Sequence, residues 1–203
     1  MGKDKAVSNY FLTNHFYMII QLCGMSGAGK TTISDIVQRK AAKLYGIRVA
    51  VIDGDVYRRT LNRDLGYSKQ DRIENIKRLG KVAYQLSRKG IVAIISAINP
   101  YRDARNELKR KYPAVKEVFI DCPLEVLIER DTKGLYKKAS LPEDHPDKLK
   151  NLSGLNDPFE KPEDPDLHLR TDRMETDKCA QQLIKLIVED TSADLISGSP
   201  KST

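Results

Sequence analysis

Residues 24–32 read GMSGAGKTT, directly behind the apolar run FYMIIQLC at 16–23. Gly24, Gly29, Lys30 and Thr31 meet the spacing GxxxxGK[ST], between a buried-strand candidate and a helical pattern, which is where that spacing has a mechanism. The glycines let the backbone curl so that successive N–H groups point at phosphate oxygens, and the helix that follows adds its positive dipole end. Met25, Ser26, Gly27, Ala28 and Thr32 complete the loop. Lys30 suits the outer phosphates, and the Thr31 hydroxyl can complete the shell of a Mg²⁺ ion. The loop therefore predicts a bound nucleoside triphosphate, which the chain could transfer from, hydrolyse or only sense.

Outward from the loop the pattern alternates. Strands are expected at 16–22, 49–53, 91–96, 115–121 and, shorter, 167–170. Helices are expected at 31–45, from the Ser68 N-cap to about Arg88, at 102–112, at 123–130 and at 175–189. That rhythm predicts an α/β fold, a parallel five-stranded sheet with helices on both faces. The stretch 131–166 breaks it. Pro142, Pro146, Pro158, Pro162 and Pro165 fall there among glycines and charges, and a loop that long in one domain reads as a lid. Residues 1–15 read as an extension and 191–203 as a polar tail, leaving 16–190 as one domain.

Composition narrows the partners. An excess of basic residues, +7, is compatible with anionic ligands. The basic runs at 39–43, 109–111 and 148–150 are scattered and match no nucleic-acid module, so no nucleic-acid partner is expected. Cys23, Cys122 and Cys179 form no CxxC pair, which argues against structural zinc and for a reducing, cytoplasmic compartment. No secretory or membrane-spanning pattern is present, so no membrane partner is expected either. His15, His145 and His168 match no catalytic or metal-ligand spacing. A guanine box of the NKxD type is absent, as is an apolar strand ending in Asp-Glu, which leaves the small-molecule kinases.

Such kinases place their second substrate beyond the C-terminal ends of the strands. There, VIDGDVYRRTLNRDLGYSKQDRIENIKR (51–78) offers two carboxylates, Asp53 and Asp55, about a glycine. One can orient Mg²⁺ and its waters while the other takes a proton from an attacking hydroxyl. Arg58, Arg59 and Arg72 are planar forks suited to phosphate or sulfate, and Asn75 shares a helical face with Arg72. The set suits an anionic nucleotide with a free hydroxyl.

These residues carry a resemblance. From about 18 to 170 the chain resembles the adenylylsulfate kinase (APS kinase) family: in GMSGAGKTT, in DGD followed by R…LN.DLGYS..DR.EN, in NPYRDAR (99–105), in ERDTKGLYKKA (129–139) and in LSGLNDPFEKPEDPDLHL (152–169). The resemblance implies phosphoryl transfer from ATP, with Mg²⁺, to the 3′-hydroxyl of adenosine 5′-phosphosulfate. It implies Asp55 as general base and Asp53 as a support for Mg²⁺ or for the loop. Arg58, Arg72 and Asn75 become contacts to the phosphosulfate nucleotide. Tyr67 falls where the family has an aromatic packed on the acceptor adenine, and Ile98, Asn99, Pro100 and Tyr101 line the same site. Lys133, Lys137 and Lys138 fall in the lid, with Leu135 beside the substrate and Arg130 and Asp131 at the hinge. A homodimer is implied as well.

Two positions depart from the family pattern. Asn99 stands where many members have a serine, and without a hydroxyl it excludes a covalent relay there. Leu152 stands where members usually carry a phenylalanine that stacks on the base. With Tyr67, these positions keep open a same-family kinase acting on another nucleotide 5′-conjugate, such as a cytidine diphospho compound. A nucleotide-binding module without turnover is the second alternative.

Overall fold

The computed structural model describes residues 18–112 and 114–197. Its centre is a sheet of five parallel strands: β1 (Ile19–Cys23), β2 (Val49–Asp53), β3 (Val92–Ser96), β4 (Val115–Asp121) and β5 (Leu167–Arg170). Their order across the sheet is β2-β3-β1-β4-β5. Parallel neighbours need long crossovers, and helices supply them. They are α1 (Lys30–Tyr45), α2 (Gly54–Arg59), α3 (Lys69–Ser87), α4 (Arg102–Lys111), α5 (Leu124–Arg130), α6 (Leu135–Ala139) and α7 (Thr176–Ser197). The expected architecture is the one found.

β1 lies in the middle of the sheet and is buried along its whole length. Its side chains alternate between two cores, as the period of a strand requires. Ile20 and Leu22 join Ile33, Val37 and Ala41 of α1 with Leu183 and Ile187 of α7. Ile19 joins Ile76, Leu79 and Ala83 of α3 with Ala104 and Leu108 of α4. Each of the buried Val, Leu and Ile side chains contributes roughly 1.5–3 kcal/mol. Gln21, the one polar residue of β1, is fully buried and satisfied: its amide nitrogen donates to Arg105 O (3.1 Å) and its oxygen accepts from Asn99 Nδ2 (3.1 Å).

Some boundaries differ from expectation. β1 begins at Ile19; Phe16 and Tyr17, like the expected extension 1–15 and residues 198–203, lie outside the described residues. α2 was not foreseen, because six residues are too few to show a helical period. The segment 131–166 is irregular as expected, except for α6 and a tight turn in which Leu152 O accepts from the amides of Leu155, Asn156 and Asp157. α7 runs on to Ser197, past the end that apolar spacing marked at 189.

Candidate active site

The loop between β1 and α1 turns through Gly27 (φ 77°) and Gly29 (φ 100°), a left-handed conformation that side-chain-bearing residues avoid. Gly29 is the N-cap of α1 and offers no side chain to its free amides, which leaves them for an external anion. Lys30 is buried, and its amine donates to Gly24 O (2.8 Å) and Met25 O (2.9 Å) across the loop. Burial lowers that amine to about 8, with nearby Lys133 pulling the same way and Asp55 and Asp53 resisting. A phosphate placed in the loop reverses the balance, because it compensates the charge that burial penalises.

Asp53 joins this loop to the next element. Its Oδ1 accepts from the amides of Asp55 (2.8 Å) and Val56 (3.1 Å) and so caps α2. Its Oδ2 accepts from the Thr31 hydroxyl (3.0 Å). One carboxylate thus holds both the residue expected to face Mg²⁺ and the helix that carries Asp55 and Arg58. An ion delivered with the nucleotide fits this donor set, since a hard cation takes hydroxyl and carboxylate oxygens. Among the described residues no cluster of three or more His, Cys, Asp or Glu could hold a metal by itself.

A cleft opens beyond the ends of β2 and β3, where the sequence predicts the acceptor. Asp55, Arg58, Tyr67, Arg72, Asn75, Ile98, Asn99 and Pro100 line it together with Gly54, Ile76 and Ala97. Both arginines are tethered. Arg58 donates to Gly66 O (2.6 Å) and lies 4.8 Å from the centre of the Tyr67 ring. Arg72 donates to Tyr67 O (3.0 Å) and Asn151 O (2.6 Å), and pairs with Asp157 at 3.4 Å. The Tyr67 ring thereby lies near two guanidinium planes, one within 4.8 Å and the other within 5.4 Å, and remains largely exposed. Asn75 is fixed by Asn62, whose amide donates to its oxygen at 3.0 Å.

From the lid, Lys133 pairs with Asp55 at 2.7 Å. Partial burial pushes the Asp55 carboxyl up, but the hydrogen bond and charge of Lys133, with Lys30 and Arg59 behind it, hold it below the usual carboxylate range. Asp131, in a left-handed conformation (φ 25°), accepts from the amides of Tyr136 and Lys137 and so starts α6. Tyr136 in turn donates to Ser26 O of the phosphate loop at 2.9 Å. The lid is therefore bonded to both halves of the site.

A phosphate loop, a carboxylate at a strand end and an arginine-lined cleft beside it are found together, and the sequence matches the adenylylsulphate kinase family model over residues 17–170. The chain belongs to the adenylylsulphate kinase family. It is 38% identical to an adenylyl-sulfate kinase from Picosynechococcus sp. over 175 residues, covering 86% of this chain and 96% of that protein. An adenylyl-sulfate kinase from Rippkaea orientalis is 46% identical over 153 residues, 75% of this chain and 81% of its own. Among solved structures, the Mycobacterium tuberculosis APS kinase in complex with AMPPNP and APS superposes with a TM-score of 0.78 at 36% identity, covering 85% of this chain and 98% of that one.

Within this adenylylsulphate kinase fold, not every expected residue reaches the cleft. Leu152 does not line it. The residue opens the tight turn at 152–157 and is 4% exposed, packed into the larger core. Leu135 packs against that core too, because it begins α6 with its face toward the domain. Asn99 lines the cleft in a left-handed conformation (φ 48°), and its buried amide nitrogen donates inward to Gln21 Oε1 at 3.1 Å. Arg130 lies between Cys122 (3.6 Å) and Thr171 O (3.1 Å), at the end of β5. A cavity of about 310 Å³ on the far side of Met25, between the ends of β4 and β5 and lid residues 154–161, contains none of the expected acceptor residues. Sequence reasoning passed over Asn62, Gln21 and Ser96. Gln21 is a lone polar residue in an apolar run, which a buried partner explains; Asn62 was hidden in the polar stretch 57–64 and Ser96 at the end of an apolar strand.

Proposed function

We propose that this chain transfers the γ-phosphoryl group of ATP, with Mg²⁺, to the 3′-hydroxyl of adenosine 5′-phosphosulfate, giving 3′-phosphoadenosine 5′-phosphosulfate and ADP. The observation that carries this reading is the double use of Asp53, which ties the phosphate loop to the helix bearing the acceptor-side carboxylate and arginine. A relative solved with AMPPNP and APS supports the same pairing of ligands.

In this reading the loop amides, Lys30 and the α1 dipole bind the triphosphate of the donor. Thr31 and Asp53 are the residues that would hold Mg²⁺, which supplies charge neutralisation on the β- and γ-phosphate oxygens. Arg58, Arg72 and Asn75 hold the phosphosulfate nucleotide, with Tyr67 against its base. Asp55 accepts the proton of the 3′-hydroxyl as that oxygen bonds to the γ-phosphorus and the bond from phosphorus to the leaving ADP oxygen breaks. Lys133 engages only Oδ2 of Asp55 and leaves Oδ1 to accept; the phosphates of a bound donor compete for the same ammonium, and losing it would make Asp55 a stronger base. Asn99 lacks a hydroxyl, so the transfer is direct, and positioning with charge neutralisation suffices for it.

The test is ADP release from MgATP with adenosine 5′-phosphosulfate, with a cytidine 5′-diphospho conjugate and with no acceptor, each beside an Asp55→Asn variant. Turnover that requires the phosphosulfate and falls by roughly 10²–10⁴-fold in the variant is expected. Because Leu152 is withdrawn into the core, the cleft keeps only Tyr67 for stacking, and the cytidine arm asks whether base choice has moved with it. Turnover with that compound alone would replace the substrate and keep the chemistry. Turnover indifferent to any acceptor would remove the kinase reading.

A homodimer in the cytoplasm completes the proposal. All three cysteines are free and buried, and among the described residues no helix is long and apolar enough to cross a membrane. Light scattering across a dilution series tests the dimer; a single monomer mass at every concentration would remove it.

A further inference from the structure

Ser96 is the last residue of β3, and the sheet places it beside both functional strands. It pairs in register with Asp53 of β2 and with Leu22 of β1, the strand that feeds the phosphate loop. It is 4% exposed. Its hydroxyl lies 3.4 Å from the Thr31 hydroxyl, which itself lies 3.0 Å from Asp53 Oδ2. A threonine hydroxyl has one proton and two lone pairs. An ionised carboxylate only accepts, so the Thr31 proton goes to Asp53 and Ser96 is the donor in the second contact. Asp53 thereby turns the Thr31 lone pairs away from itself, toward the side where a cation would bind, and Ser96 occupies one of them.

Other phosphate-loop enzymes carry an aspartate in this region to hold the ion. Here the carboxylate is on β2 and a neutral hydroxyl ends β3. We propose that Ser96 is a positioning residue of the Mg²⁺ shell: it holds the Thr31 lone pair in the nucleotide-free protein and gives its hydrogen bond to a water of the ion's shell when MgATP is bound. The inference rests on the donor half of the function proposed above and is independent of the acceptor's identity.

Because its effect is routed through the metal, the test separates metal-dependent from metal-independent binding. Equilibrium titrations of ATP into the full chain would be run with Mg²⁺ and with EDTA, for the parent and for Ser96→Ala, Ser96→Cys and Ser96→Thr. Ser96→Ala and Ser96→Cys are expected to weaken MgATP binding roughly 5- to 20-fold, the scale of one hydrogen bond. ATP binding in EDTA should stay at the parent level in both, and Ser96→Thr should restore the Mg²⁺ response. The cysteine variant keeps the side-chain volume and guards against a misfolded alanine variant. Equal losses with and without Mg²⁺ would make Ser96 structural and overturn the proposal, as would parent-like MgATP binding by Ser96→Cys. A parent protein whose ATP affinity ignores Mg²⁺ altogether would remove the donor reading as well, and that failure is distinguishable because it precedes any substitution.

Discussion

The donor half of the site and the acceptor half are built in opposite ways. Gly24 to Thr32 are contiguous, and their geometry follows from left-handed glycines at a strand–helix junction, with free amides supplied by the backbone itself. The acceptor cleft draws Asp55 and Arg58 from α2, Arg72 and Asn75 from α3, and Ile98 to Pro100 from the loop after β3, while Lys133 arrives from the lid. A contiguous site tolerates change in the rest of the molecule. An assembled site depends on tethers: Asn62 on Asn75, Gly66 O on Arg58, and Asn151 O and Asp157 on Arg72.

The sharpest way to break this contrast is at Lys30, whose amine is buried in the donor loop and bonded to its carbonyls. Lys30→Met should lower kcat/KM by roughly 10³-fold, the upper range for losing one charge-stabilising donor, with an unchanged fold by circular dichroism. Asp53→Ala should follow at roughly 10²-fold but strike both halves, since it frees Thr31 and uncaps α2 at once. Steady-state kinetics with each substrate varied would read this as a rise in both KM values. An effect confined to MgATP would disprove the coupling through Asp53. Arg72→Lys, by comparison, should raise only the acceptor KM, roughly tenfold, because an ammonium cannot reproduce the fork.

pH probes the donor half without a substitution. Burial lowers the Lys30 amine to about 8 from 10.5, and the negative charge of a bound triphosphate would raise it again. Below about pH 8 the empty protein already carries the proton, so ATP affinity is flat with respect to this group. Above it the proton must be taken up on binding, and affinity falls by up to about tenfold per unit until the bound-state value is reached. Titration calorimetry in two buffers of different ionisation enthalpy would detect that uptake at pH 8.5–9. Proton release there would contradict the assignment.

The smallest effect concerns the contact between the lid segment and the phosphate loop. Gly154, at φ +91°, lies so close to Met25 that an added Cβ would collide with its Sδ. Gly154→Ala should destabilise the protein by about 1–3 kcal/mol, from strain and overpacking together. In a Met25→Ala background, where the clash is gone, Gly154→Ala should cost only the strain share, measurable as a smaller shift of the urea midpoint between Met25→Ala and the double variant. No shift between those two would show that the left-handed backbone carries no strain.

Much of this was legible in the chain. The five strands and the phosphate loop could be read directly, because hydrophobic period, glycine placement and caps such as Ser68 are local physics. The carboxylates, arginines and Asn75 of the cleft stood out by residue type and spacing, whereas Tyr67, Ile98, Asn99, Pro100 and the lid residues came only from the resemblance. α2 was missed because its only local signal was the Asp53 cap. Leu152 was placed in the cleft by analogy, and packing moved it to the core.

What the sequence alone determined, then, is the alternation of strands and helices that sets the α/β class, and the nucleotide loop, since both are written in neighbours along the chain. Tertiary structure decided the rest. Only folding brings Asp53 within reach of Thr31, Ser96 beside both, and Lys133 onto Asp55, across separations of 22, 65 and 78 residues. Those contacts depend on the sheet order and on the path of the lid. Side-chain hydrogen bonds reach only about 3 Å, so no pattern along the chain can encode which distant groups will meet.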